Sequence, residues 1–434
     1  MPESFSAISF RKSLRGCIAV GSRRLTARRI TLTMAALIAS TCALAQTVTT
    51  IYQFGSRSGD GTNPQAGVVF DKSGNLFGTT PVGGISGSNG VLFRLLPPIG
   101  GGVPWKERLL HKFKGQPADG KVPEGRVILT SSGRVFGTTL QGGTNNVGTA
   151  FVLRPPLKRG GPWTVKVLHS FGSSSGDGVN PNAGLLAANP GFYGVTFAGG
   201  TNGRGAVFQL TPASGGTWTE TILYSFAADP DAGFPSSELV KDKSGNLYGT
   251  TTLGGANSLG AVYQLSPPTK SGGSWTETVI HSFIGTDGSS PAGRLQFDAK
   301  GTLYGTTDGG GAMQEGTVFQ LTPPAKKGDP WPETVLYSFS GGQDGSNPQA
   351  GVIFGNKGTL VGTAASGGAS SGGVVFQLTP PGGSGQWAET VLHSFSHLEG
   401  IRPVSQLIRR NGNMYGTTSL GGQFDGGTVF ALTP

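Results

Sequence analysis

From Gln46 onward the chain alternates short apolar runs with clusters of Gly, Pro, Asn and Asp. The runs are rich in Val, Thr, Phe and Tyr, which fit a pleated, half-buried surface, and the clusters supply turn chemistry. Beyond residue 45 no window of helical length has a convincing helical period. The pattern therefore predicts strands throughout.

The stretch Trp275 to Phe339 shows how the runs are ordered. It reads W-T-E-T-V-I-H-S-F, a D-G-S-S-P loop, A-G-R-L-Q-F, a D-A-K-G turn, T-L-Y-G-T-T, a glycine cluster, G-T-V-F-Q-L, and then W-P-E-T-V-L-Y-S-F. The opening motif also closes the stretch, so this is one period of a repeat with four strands. An aromatic-Gly-Thr-Thr marker places its glycine at Gly78, Gly137, Gly194, Gly249, Gly305, Gly362 and Gly416, at a mean spacing of about 56 residues. Two copies depart from it, with Gly194 in Y-G-V-T and Gly362 in V-G-T-A. Tight turns such as Lys72-Ser73-Gly74-Asn75 join the first and second strands as antiparallel hairpins.

Seven four-stranded units predict an all-β fold, a seven-bladed β-propeller, in which radial repetition protects the sheet edges. A linear β-array is the alternative. The strand count favours a ring. The seventh period stops after its third strand, near Ala431, whereas a lone fourth strand, Val48 to Phe54, stands at the other end. That N-terminal strand closes the last blade of a ring, whereas an open array leaves two unpaired edges.

The recurring L-Y-G-T-T, Gly-Gly and G-T-V-F-x-L motifs, in register over residues 46–434, resemble the GloVer tandem repeat of choice-of-anchor proteins. The order of glycine pair, aromatic strand and Trp strand also resembles kelch propellers. The resemblance implies a propeller in a bacterial protein that is secreted or held at the cell surface. It implies no chemistry.

Residues 1–45 read as a secretory leader. Arg11, Lys12, Arg15, Arg23, Arg24, Arg28 and Arg29 form a basic region, residues 30–44 are apolar, and Ala43-Leu44-Ala45 offers an A-x-A cleavage site before Gln46. The apolar stretch is too short and wrongly flanked for a membrane span. The arginine pairs leave the Sec and twin-arginine routes both open, and lipid attachment at Cys42 is a further alternative. The expected location is secreted, periplasmic or at the cell surface.

The leader also changes the bulk numbers. It holds seven basic residues and one acid, Glu3, so the formal charge of +10 falls to +4 for residues 46–434. That small excess, with no basic run interleaved with aromatics, argues against nucleic acid as a partner. Both cysteines, Cys17 and Cys42, lie in the leader. Residues 46–434 therefore use no disulfide, and a chain of this length buries a core without one.

Most candidate chemistry repeats in register and reads as packing. His111, His169, His281 and His393 share one repeat position with Tyr52, Tyr224 and Tyr337, which suits a flat amphipathic ring. No metal site is expected from them, nor from the off-register His397. Trp105, Trp163, Trp218, Trp275, Trp331 and Trp387 recur once per blade. The D-G-x-x-P linkers at Asp60, Asp119, Asp177, Asp287 and Asp344, with Asp231 and Glu399 in the other copies, read as capped turns. A weak calcium site in each is the functional alternative, but one carboxylate per loop falls short of a calcium shell. Kelch-type copper oxidases need a Cys–Tyr cross-link, sialidase-type boxes need S-x-D-x-G-x-x-W, and neither is present beyond the leader. No nucleophile elbow, phosphate loop or isolated pair of carboxylates stands out.

A single ligand site must break the repeat, and two places do. Three residues after the proline of each linker stand Gly67, Arg126, Gly184, Glu238, Arg294, Gly351 and Gln406. Arg126, Glu238, Arg294 and Gln406 are thus candidate ligand-binding residues on the innermost strand, and a Glu238–Arg294 pair lining the channel is the structural alternative. Arg409 and Arg410 add charge nearby. The second place is the set of loops after the glycine pairs, which differ in length and chemistry. The sequence nominates no catalytic residue and no cofactor. It favours an exported binding or scaffold module for a glycan, a small polar ligand or a surface protein. The rival is a glycan-active enzyme with its site on one propeller face, which a convergent cluster of acids in a pocket would favour.

Overall fold

The computed structural model describes residues 46–84, 89–158, 160–270, 272–326, 328–383 and 385–433. The expected leader lies outside them. The described residues form seven antiparallel blades with strands in the order first, second, third, fourth from the axis outward. Blade one consists of Val69–Phe70, Leu76–Thr80, Val91–Leu96 and Lys106–Lys112, and blade five of Gln296–Phe297, Leu303–Thr307, Thr317–Leu321 and Glu333–Ser338. In blade four the linker strand Ala232–Pro235 joins the sheet as well. Three short 3-10 turns are the helical pieces among the described residues.

The ring closes through the N-terminal strand. Thr47–Gln53 pairs antiparallel with Thr428–Thr433, from Thr47 opposite Thr433 to Gln53 opposite Thr428. It completes a blade whose other strands are Ile408–Arg410 and Asn413–Thr418.

The repeat marker has a packing cause. In the third strand of each blade an aromatic ring crosses the marker glycine; a Cβ on Gly305 would lie 2.5 Å from the Phe319 ring. The same ring meets the terminal Phe of the preceding blade edge-on. Phe54–Phe93, Phe113–Phe151, Phe171–Phe208, Phe226–Tyr263, Phe283–Phe319, Phe339–Phe376 and Phe395–Phe430 have centroids 4.9–5.3 Å apart. These buried pairs run round the whole ring between blades. The threonines of the marker then tie strands together. Thr138 Oγ1 donates to the Ala183 carbonyl of the next blade at 2.8 Å, and Thr139 Oγ1 meets Thr149 Oγ1 within its own blade at 2.8 Å.

Tyr263 is the exception in this aromatic layer, where six copies have Phe. Its hydroxyl is buried without a hydrogen-bond partner, and burial first, then the Glu277 carboxylate, push its ionisation well above the ordinary phenol value. Removing a buried unpaired hydroxyl while keeping the ring relieves its desolvation cost. Tyr263→Phe is therefore expected to stabilise the protein by about 1 kcal/mol, seen as a higher urea midpoint at unchanged slope. A lower midpoint would show that the hydroxyl has a role in holding the blade.

Candidate functional site

Each innermost strand starts at a kink. The residue before the linker proline has left-handed backbone in all seven copies: Asn63, Val122, Asn180, Phe234, Ser290, Asn347 and Arg402, with φ between 52° and 60°. For Val122 and Phe234 this conformation is strained. The kink is held by the neighbouring loop, as where the Val122 amide donates to the Asn89 carbonyl at 2.9 Å. It turns the chain into the centre, so the residues one and three places after the proline line the channel.

The first of these positions lines the mouth. Gln65, Glu124, Asn182, Gln349 and Val404 surround a cavity of about 320 Å³, with Asn63, Arg402, Ser419 and Leu420 also lining it. Burial pushes the Glu124 carboxyl above its ordinary value. The second position lines a chamber of about 130 Å³ to which all seven blades contribute.

Arg126, Glu238, Arg294 and Gln406 all line this chamber. Three of them meet. Arg126 donates to Glu238 through Nη2 at 2.7 Å and Nε at 3.1 Å, a two-pronged pair between blades two and four. Arg294 brings its Nε to 3.3 Å from the same carboxylate. Gly184 on the intervening blade permits the pairing, because a Cβ there would press on Glu238 Oε2 at 3.1 Å and on the Arg126 carbonyl at 2.8 Å. Burial disfavours the charge on Arg126, but Glu238 outweighs it and holds the guanidinium above its ordinary value. At Arg294 burial prevails over Glu238, and repulsion from Arg126 adds to it, so that guanidinium is held below its ordinary value. Two guanidiniums thus share one carboxylate.

Gln406 stands apart from this trio, with its amide donating to the Val352 carbonyl at 3.3 Å. Arg409 and Arg410 are bound elsewhere. Arg409 donates to the Phe354 carbonyl, and Arg410 donates to the Asp71 carbonyl while lying 4.9 Å over the Phe70 ring.

The variable loops lie on the same face as the mouth. Short ladders such as Gly61–Thr62 with Val82–Gly83 and Gly178–Val179 with Ala198–Gly199 bind each linker to a glycine-pair loop. Ser419 and Leu420 in the mouth lining come from one such loop. The first loop is only partly described, since residues 85–88 fall outside.

The register-locked His/Tyr position and the linker acid turn out to be partners. His111 faces Asp119 at 2.8 Å, His169 faces Asp177 at 3.2 Å and His281 faces Asp287 at 3.0 Å. The Tyr52, Tyr224 and Tyr337 hydroxyls donate to Asp60, Asp231 and Asp344, and His393 lies 3.4 Å from Glu399. The acids also accept backbone amides, such as Lys114 N on Asp119 at 2.9 Å, so turn capping is one half of their role. A β-bulge in every outer strand, as between Val262 and Tyr263 opposite His281 and Val279, re-aims the ring toward the linker.

The glutamate of the W-x-E-T motif completes this arrangement in several copies. Burial first, then the Asp231 carboxylate, push Glu277 up to about 8. Glu333 and Glu389 are pushed up to about 7 by burial and by Asp287 and Asp344. Each keeps a buried Oε1 without a hydrogen-bond partner.

Reading the sequence singled out the second channel position and missed the first. The signal was available: side chains two apart on a strand share a face, so Gln65, Glu124, Asn182 and Gln349 belong with the Arg126 set.

Residues 106–296 and 269–434 match the family model described as the Gloeobacter/Verrucomicrobia repeat. No curated protein matches the chain. Among solved structures, the extracellular domain of a hybrid two-component system from B. thetaiotaomicron is similar, with TM-score 0.50 and 10% identity over 88% of this chain and 39% of that one. The chain thus spans well under half of that protein, and the likeness is one of fold alone. A Trypanosoma rangeli sialidase is similar at TM-score 0.39 and 12% identity, over 78% of this chain and 57% of that one. No helix among the described residues is long and apolar enough to cross a membrane.

Proposed function

Because the chain belongs to the Gloeobacter/Verrucomicrobia repeat family and folds as a seven-bladed propeller, we propose that it is an exported binding module whose channel mouth takes a small sugar acid. The export rests on the leader read at residues 1–45, with Ala43-Leu44-Ala45 before Gln46. The observation that carries the ligand class is the sharing of Glu238 by Arg126 and Arg294. One positive charge stays uncompensated in that trio. The amides of Gln65, Asn182 and Gln349 in the mouth above suit hydroxyl groups, both as donors and as acceptors. Glu124 is the one acid among the described residues that line the mouth. Glycoside hydrolysis ordinarily uses two carboxyl groups flanking the bond, so the lining fits binding better than hydrolysis.

The geometry selects Arg294 for the test, since Arg126 is fully engaged by Glu238. Titration with glucose and with glucuronate is expected to show preference for the acid. Arg294→Gln should remove that preference, a loss of tenfold or more for one charge-assisted hydrogen bond, at nearly unchanged melting temperature. Equal affinity for the two sugars, no binding of either, or a preference that survives in Arg294→Gln would reject the channel as the site.

A further inference from the structure

The strongest unassigned cluster lies between blades two and three, away from the channel. His169 ends the outer strand Thr164–Ser170, Asp177 sits in the linker that follows, and Glu220 stands on the outer strand Trp218–Ser225 of the next blade. One ligand atom from each lies within 4.8 Å of the others, and this is the one such group found among the described residues.

A second observation points to a missing ligand. The Asp177 side chain is only 2% exposed, yet its Oδ1 has no hydrogen-bond partner. In three matching copies Asp60 Oδ1 and Asp119 Oδ1 accept the following glycine amide at 2.8 Å, and Asp287 Oδ1 accepts the Ile284 amide at 2.9 Å, whereas Asp231 Oδ1, in a copy with tyrosine in place of histidine, is unpartnered as well. Asp177 Oδ2 is bonded to Ser173 N, Ser173 Oγ and His169 Nε2, so Oδ1 alone is left over. Glu220 Oε1 is also buried without a partner, as are the matching oxygens of Glu277, Glu333 and Glu389, so the glutamate is available here and the aspartate with its imidazole sets this copy apart.

Composition separates this copy from most others. The glutamate position is Val165 beside the His111 copy and Val48 in the His393 copy, as their opposition to Leu153 and Leu432 shows. The Tyr224 and Tyr337 copies have glutamate but no imidazole. His281, Asp287 and Glu333 repeat the same three residue types, but there both aspartate oxygens are engaged.

We propose that His169, Asp177 and Glu220 bind one divalent transition cation of the zinc class, which pins blade two to blade three. One nitrogen and two carboxylate oxygens suit zinc, whereas magnesium and calcium prefer oxygen alone. The cation binds His169 Nε2 in place of its hydrogen, the imidazole staying neutral with its one proton on Nδ1; Asp177 offers the unpartnered Oδ1, and Glu220 binds as the carboxylate after releasing its own proton. Water fills the remaining position. The sequence expectation of no metal rested on the histidines sitting on separate blades; the structure adds that each of them faces a carboxylate.

The test is calorimetric titration of the chelator-stripped protein with Zn²⁺, alongside Mg²⁺ and Ca²⁺. One equivalent of Zn²⁺ is expected to bind with proton release and a raised melting temperature, while Mg²⁺ and Ca²⁺ do neither. Glu220→Gln should weaken Zn²⁺ at least tenfold without unfolding the protein, because it replaces a buried unpaired carboxyl by a neutral group of the same shape. Glu333→Gln, the matching change in the copy between blades four and five, should leave Zn²⁺ binding intact. No stoichiometric uptake, uptake unaffected by Glu220→Gln, or uptake abolished by Glu333→Gln would overturn the assignment.

Discussion

A chain lacking residues 46–54 melts lower than the intact protein by roughly 5 °C or more, because blade seven loses its outer strand. Ile51 and Phe54 are 3% and 0% exposed. Removing them empties a cluster that also holds Val68, Phe93 and Val429. Large-to-small changes at two such sites cost about 5 kcal/mol or more together, which corresponds to a shift of this order. The ladder from Thr47 to Gln53 goes with them, and the exposed edge of Thr428–Thr433 becomes a template for association. A synthetic peptide of residues 46–54 should restore much of the loss by adding the strand back. An unchanged melting temperature in the truncated chain would mean that the ring holds without this strand.

Glu238→Gln leaves Arg126 and Arg294 facing each other with no carboxylate between them, and a loss of about 2 kcal/mol is expected. Removing one partner from a fully buried pair costs more, but side-chain exposures of 27%, 11% and 25% at Arg126, Glu238 and Arg294 let water screen part of it. The variant should regain stability in sulfate, an anion that can stand in for the carboxylate, by several-fold more than the parent does. Sulfate in matched ionic strength against chloride is the measurement. Equal responses from parent and variant would show that the chamber is closed to anions, which would also remove the basis for a sugar acid in the mouth.

Much of this molecule was legible one residue at a time. Strand positions follow from runs such as Leu303–Thr307 and Thr317–Leu321, whose side chains alternate between two packed faces. The blade number follows from the marker glycine, which is fixed because an aromatic ring lies across it. Closure follows because Val48 to Phe54 repeats a pattern otherwise found only in outer strands. All of these are set by contacts that recur at fixed spacing, and repetition prints them in the sequence seven times.

Contacts that break the repeat were not legible in the same way. Arg126 and Glu238 are 112 residues apart and meet because a ring brings blade two within reach of blade four across Gly184. The sequence suggested Glu238 with Arg294 on adjacent blades; the structure adds Arg126, which takes the better geometry. The His169–Asp177 pair is only eight residues long in sequence, yet it depends on a β-bulge that shifts the strand alternation by one and so redirects the ring. Glu220 reaches the pair from the next blade. The sequence by itself determined the strands, their number and the ring, because those rest on local periodicity. The tertiary structure decided which polar groups face each other, because blade order around the axis and the aim of each kinked strand set distances that no spacing along the chain encodes.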